Sequence, residues 1–321
     1  MPGRLAAAVL AGALLGAMPV AAQNYPSRQI ELVVPFVAGG TTDTMARLIA
    51  QRFSDSWSQT VVVSNRPGGG GTIGTYAVAK APPDGHTLLV TTISFAINAG
   101  LQRLSYDPIN DFAPITELAS IPLILVVHPS LPATNLREFI VLAKSEPGGL
   151  DYASSGPSTS PHLAGEMFKS MAGIDLVHVP FKGNAEVLNA LLGGHVKVHF
   201  GLAPAVLQHV KNGSLRALAV TTEKRLPYLP AVPTIAELGF PGYEITSWQA
   251  VFAPGGTPKQ IVGKINGELL AMLNAADVRA RISQEGAYPV GSTPAAFARR
   301  VTSEIAKWTK VIKAAGVTPP S

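Results

Sequence analysis

Two short stretches carry residue types suited to holding an anion. Residues 36–43, FVAGGTTD, place two glycines and two threonines between an apolar run and a helical pattern. Residues 154–160, SSGPSTS, place five hydroxyls around one glycine in the same setting. The first N–H groups of a helix have no partner within it, and glycine lets backbone approach a ligand closely. In the first stretch Phe36 offers an apolar wall, Gly39 and Gly40 close approach, and Thr41, Thr42 or Asp43 a helix cap. In the second, Ser154, Ser155, Gly156, Ser158, Thr159 and Ser160 form the loop, and His162 follows on the helix. Pro161 suits the first helical position after a Ser cap. Either stretch read alone also fits an ordinary βα turn that avoids bulk.

Three enzymatic or metal-binding readings compete. Residues 156–160, GPSTS, miss the G-x-S-x-G elbow because Ser160 stands where the last glycine belongs, and Pro157 fits that strained turn poorly. A periplasmic serine hydrolase using Ser158 or Ser160 remains the alternative to binding. His195 and His199 stand four apart on an expected strand with no cysteine or carboxylate beside them, so they read as surface histidines rather than metal ligands. Gly69, Gly71 and Gly74 form a formal G-x-G-x-x-G with Asp84 downstream. Asp84 lies in the PPDG turn, so a second tight loop on the same sheet edge is the better reading than a dinucleotide site. No cofactor and no metal is expected.

The elements that must position these loops alternate. Strands are expected near residues 30–34, 61–63, 88–91, 123–127, 151–153, 176–179, 196–200, 218–221 and 248–253. Helical patterns fall between most of them, with Asn135 as a cap for 135–144 and a short helix at 234–238. Residues 94–98, which include Asn98, read as one more small, polar loop after a strand. Three amphipathic stripes close the chain, the last running through Phe297, Val301, Ile305, Trp308 and Ile312. Repeated βα alternation with apolar strands argues for parallel sheets covered by helices, with ligands outside the strands' carboxyl ends.

The chain has 321 residues, a net charge of +5 spread along its length, and no cysteine. Neither disulfides nor a thiol lipid anchor can form, and no basic stripe points to nucleic acid. Arg4, the apolar run 5–19 and Val20-Ala21-Ala22 have the layout of a secretory leader, with cleavage expected after Ala22. The expected product is a soluble, exported, periplasmic protein and a monomer.

Taken together, YPSRQIELVVPFVAGGTTDTMARLIA, NRPGGGGTIGTYAVAKAPPDGHTLL, YDPINDFAPIT and YASSGPSTSPHLAGEMFKSMAGIDLVHVPFKG resemble the extracytoplasmic solute-binding receptors of tripartite tricarboxylate transporters, the Bug-type, TctC-like family. The resemblance covers essentially the whole mature chain. It implies an α/β fold of the type II periplasmic-binding-protein kind, with two lobes, each a mostly parallel sheet flanked by helices, and a ligand cleft between them. The implied lobes are residues 24–124 with 244–321, and 125–243. The implied function is capture of a small organic carboxylate by lobe closure and delivery to the membrane permease subunits of such a transporter. A sensory receptor would share the same pocket. The family's ligand loops map onto residues 36–43 and 154–160, with Phe181 in the VPFKG motif. Asp43 is expected to shape its loop by accepting N–H bonds, because a bare carboxylate would repel an anionic ligand. Two positions depart from the family pattern. Ala38 replaces the usual proline before the double glycine, and Gly201 stands where an acidic or amide residue is common. Both are counted among the candidate contacts, and Gly201 implies a preference for non-amino organic acids.

Overall fold

The run Ile30–Val34, apolar except for Glu31, forms strand β1 in the interior of a sheet, with every residue but Glu31 buried. The structure, a computed structural model, describes residues 25–284 and 286–318. The leader and its cleavage point therefore lie outside the described residues.

β1 pairs in parallel with β2 (Val61–Asn65) and β3 (Thr87–Thr92). Strand β9 (Thr246–Pro254) then lies antiparallel beside β3. Next comes β4 (Phe112–Val127), 16 residues long, which belongs to two sheets in succession. Residues 112–122 of β4 pair with β9. Residues 123–127 pair with β7 (Val198–Leu202) and β8 (Arg216–Val220), all antiparallel. The second sheet continues from β7 to β5 (Asp151–Ser154) and β6 (Val177–Pro180), in parallel. The two-residue strand β10 (Tyr288–Pro289) adds to β4 on the first sheet.

The sheets are therefore mixed rather than parallel throughout. Only the βα repeats with crossover helices pair in parallel. The strands that carry the chain between sheets, β4 and β9, run against their neighbours because they make no crossover.

Helices cover both sheets. Helix α1 (Thr41–Trp57) buries Met45, Ile49 and Phe53 at helical spacing, and α10 (Pro294–Ala315) buries Phe297, Val301, Trp308 and Ile312. Helix α4 (Leu136–Ser145) starts with a variant of the capping box, in which the return bond goes to the residue before the cap. The Asn135 side chain accepts Glu138 N–H at 3.0 Å, and the Glu138 carboxylate accepts Thr134 N–H at 2.7 Å. The remaining helices are α2 (Thr72–Ala79), α3 (Ser94–Leu101), α5 (Ser160–Ala172), α6 (Asn184–Leu192), α7 (Ala203–Lys211), α8 (Lys259–Asn274) and α9 (Ala276–Gln284).

Two local expectations are corrected. Residues 94–98 begin helix α3, whose Phe95 and Ile97 are buried; Phe95 stacks on Phe252 at 4.5 Å. Residues 234–238 form turns rather than a helix. Thr234 and Glu237 do exchange cap-like bonds at 3.0 Å, but Gly239 and Pro241 follow too soon for a helix to propagate.

Candidate ligand cleft

The loops after β1, β5 and β6, together with the glycine turn before α2, converge on one cleft of about 500 Å³. Helix α1 begins after Gly40 with no side chain capping it, so its first N–H groups are left for another partner. Asp43, in its first turn, is buried and committed. Its carboxylate accepts Gly39 N–H at 2.9 Å, Arg47 Nε at 2.9 Å and Asn65 Nδ2 at 3.1 Å. Burial raises the Asp43 pKa, but the hydrogen bonds from Arg47, Gly39 and Asn65 outweigh it and hold the carboxyl below the usual range. The acid thus braces the turn instead of offering a lone negative charge to a ligand.

A single 3-10 turn, Gly69–Gly71, precedes α2. Gly70 has φ 65° and lies against the opposite loop; a Cβ there would stand 3.2 Å from Ser158 Oγ. Gly68, Gly70 and Gly71 line the cleft. Gly74 does not. A Cβ on it would meet Arg66 O at 2.8 Å and Pro35 Cα at 3.0 Å, so its role is close packing of α2 on the end of β1. Asp84 pairs with Arg28 at 2.7 Å, and its backbone lies in bends before β3.

On the other wall, Thr159 is the N-cap of α5, Ser160 opens the helix and Pro161 follows, one place later than expected. Thr159 Oγ1 donates to Gly156 O at 2.7 Å, closing the loop on itself. Helix α6 starts after Gly183, at φ 134°, and the preceding Lys182 N–H donates to Glu186 at 3.0 Å.

Of the candidate contacts, Phe36, Gly40, Thr41, Thr42, Asp43, Ser155, Gly156, Thr159, Ser160 and Phe181 line the cleft. Ala38, Gly39, Asn98, Ser154, Ser158, His162 and Gly201 are not among its lining residues. Gly39 instead donates to Asp43. Asn98 is buried and supports the glycine turn by donating to Gly70 O at 3.0 Å. Ser158 is fully buried at φ 62°, and its hydroxyl has no partner in the protein. A Cβ on Gly201 would run into Val206, so a larger residue there would collide with α7. The inference from Gly201 to ligand class therefore loses its geometric basis.

His199 is a further correction. It is buried, and its Nδ1 lies 2.9 Å from Ala153 O, because β7 sits in the interior of the second sheet. A carbonyl only accepts, so Nδ1 carries the proton. His195 is exposed, as expected.

Pro35, Pro67, Thr92, Pro161, Lys182, Gly183, Asn184, Leu202 and Ser247 also line the cleft and escaped sequence reasoning, whereas Val37, Ser94 and Pro157 line it from stretches the sequence singles out without naming them as contacts. The signal for Gly183 and Asn184 was present: a strand, a glycine and a helix start, as in the first loop. Leu202 and Ser247 carry no such signal; tertiary packing brings them in from β7 and β9. Pro35, Phe36, Val37, Pro157, Pro161, Phe181 and Leu202 make much of the wall apolar, and Lys182 is the one Lys or Arg among its described lining residues.

Neither Ser158 nor Ser160 is hydrogen-bonded to a histidine. His162 instead stacks on His178 at 4.1 Å, and its Nδ1 has no partner. No group of three or more potential metal ligands occurs among the described residues. No described helix is long and apolar enough to cross a membrane.

Two sheets sharing one long strand, with a cleft between their loops, define a two-lobed periplasmic binding fold. A solved R. palustris protein with adipate has this fold, with TM-score 0.86 and 42% identity over 92% of this chain and all of that one. MatC from Rhodopseudomonas palustris with bound malate is similar at TM-score 0.84 and 33% identity, covering 90% of this chain and 100% of that one. BugT of Bordetella pertussis is 38% identical over 94% of this chain and 93% of its own. Residues 45–317 match the tripartite tricarboxylate transporter family receptor, TctC, and the chain belongs to that family of solute-binding receptors.

Proposed function

We propose that this protein captures a small organic carboxylate in the periplasm and delivers it to the membrane permease of a tripartite tricarboxylate-type transporter. The observation that carries this reading is the convergence of the α1, α5 and α6 N-termini on a cleft where Asp43, the one carboxylate side chain among the described lining residues, is already engaged. Such termini favour anions, and Lys182 adds a positive charge at the same cleft. The ligands of the two R. palustris neighbours, adipate and malate, are of this chemical class. The leader at residues 1–22 supports export with cleavage after Ala22.

In this reading the lobes are residues 24–124 with 244–321, and 125–243. The ligand touches both and shifts the population towards the closed form. Among the described residues that line the cleft no acid is free, which favours non-amino acids, since an ammonium group would find no unengaged carboxylate partner there. A thermal-shift and calorimetry panel tests the function. Adipate, malate, tricarboxylates and aromatic carboxylates are compared with aspartate and glutamate. Stabilisation by one or more non-amino carboxylates is expected. A panel that leaves the melting temperature unmoved throughout overturns the reading, and tightest binding by an amino acid overturns its ligand preference.

A further inference from the structure

Behind the 154–160 loop lies a group of polar side chains that the cleft does not use directly. Tyr152, His178 and His162 form a column of rings. Tyr152 and His178 stack at 5.0 Å and 29°, and His178 and His162 at 4.1 Å and 17°. The Tyr152 hydroxyl donates to Glu166 at 2.5 Å, and Lys169 pairs with that same carboxylate oxygen at 3.2 Å. The column runs from β5, through β6, to the first turn of α5.

Its contact with the ligand loop is through Ser154, which is fully buried. Ser154 Oγ makes three contacts. It lies 2.6 Å from His178 Nε2 and 3.0 Å from Gly156 O, and it accepts Gly156 N–H at 3.2 Å. A hydroxyl has one proton and two lone pairs. Gly156 N–H takes one lone pair. If the proton went to His178, the Ser154 and Gly156 oxygens would face each other at 3.0 Å with no hydrogen between them. The arrangement that uses every group has Nε2–H of His178 donating to Ser154, and Ser154 donating to Gly156 O.

We propose that His178 is a positioning residue for carboxylate binding: its Nε2–H fixes the Ser154 hydroxyl, which in turn clamps both backbone groups of the cleft-lining Gly156. The ring itself is not on the cleft. Gly156 needs the clamp because it sits at φ 123°, a conformation that its own preferences do not select. The same clamp presents Gly156 O to Thr159, the N-cap of α5. Burial, with the adjacent His162 ring, pushes His178 down to about 4, so the ring is neutral at neutral pH and one of its nitrogens must be chosen as donor. The Ser154 contact makes that choice.

This inference rests on the proposed function for its effect on binding, but the positioning itself is testable without ligand. On the ligand-free protein, ¹⁵N NMR at neutral pH should find His178 protonated at Nε2. The Gly156 amide should exchange with solvent about tenfold faster in Ser154→Ala and in His178→Phe, which keeps a stacking ring without the donor. The double variant should be no faster than either single one, because the two residues act in series. His178→Gln, which restores an N–H donor, should recover most of the protection. With adipate or malate as probe, both single variants should weaken binding about tenfold. An Nδ1–H tautomer in the unaltered protein, or Gly156 exchange unchanged in His178→Phe, overturns the proposal. If the unaltered protein binds no carboxylate while the exchange results hold, the functional reading falls and the positioning stands.

Discussion

Thr42 and Ser158 make a direct contrast. Thr42 lines the cleft in the first turn of α1, whereas Ser158 is buried against Gly70 of the opposite wall, with no partner for its hydroxyl. Thr42→Ala should cost about 1–3 kcal/mol of carboxylate affinity, and Ser158→Ala should change it by less than about 0.5 kcal/mol, both read by calorimetry. Asp43→Ala acts differently, because it leaves the Gly39 N–H, the Asn65 amide and Arg47 without their acceptor. We expect it to lower folding stability by about 2–3 kcal/mol in urea denaturation, besides loosening the binding turn. The bracing role of Asp43 was legible in the sequence, since a carboxylate beside an anion site must be neutralised. The burial of Ser158 was not, because the order of residues along a loop gives no sign of which hydroxyl the opposite wall covers.

Elements tell a similar story at the next scale. The β1–α1 and β5–α5 units were readable from an apolar strand, small residues and a helical repeat. Helix α3 was not, because Ser94 and Asn98 suit either a loop or a buried helix end, and only its packing on α10 and Phe252 decides. Strand β4 was read as the five residues 123–127, since Pro114, Pro122 and the polar residues of 116–120 break the apolar pattern. In the structure β9 supplies the pairing that carries the strand through them. Two elements yield tests. Gly74→Ala on α2 should cost about 1–3 kcal/mol of stability, measured as a lower denaturation midpoint, because the new methyl meets backbone of residues 35 and 66. On β7, burial pushes His199 down to about 4, against the upward pull of its Ala153 hydrogen bond. The unfolded ring binds its proton near pH 6.5, earlier than the folded one as pH falls. Stability from this group is therefore complete above about pH 6.5 and is lost towards pH 4, at up to about 1.4 kcal/mol per pH unit. His199→Asn keeps a donor for Ala153 but cannot titrate. Its denaturation midpoints between pH 7 and 4 should fall less steeply than those of the unaltered protein.

At the scale of the whole molecule, the two walls of the cleft touch at its edges. Gly70 lies against Ser158 and Pro157 O, and a Cβ on Gly183 would stand 3.4 Å from Val37 Cγ2. Both contacts join loops of the first sheet to loops of the second, so they exist only when the walls are close together. Glycine on one side of each contact keeps the approach near van der Waals distance. Val37 is 46% exposed, so its replacement by tryptophan costs the core little, yet places an indole where Gly183 must approach. On the proposed lobe closure, the substitution acts on closing and not on folding. If it raises the free energy of the closed form by about 1.4 kcal/mol, apparent affinity falls about tenfold. The loss has a signature that separates it from a lost ligand contact. Small-angle scattering of Val37→Trp saturated with a bound carboxylate should give a larger radius of gyration than the saturated unaltered protein, while the two ligand-free forms agree. Equal radii at saturation would mean that the edge contacts do not govern closure, and that any affinity change comes from Val37 touching the ligand itself.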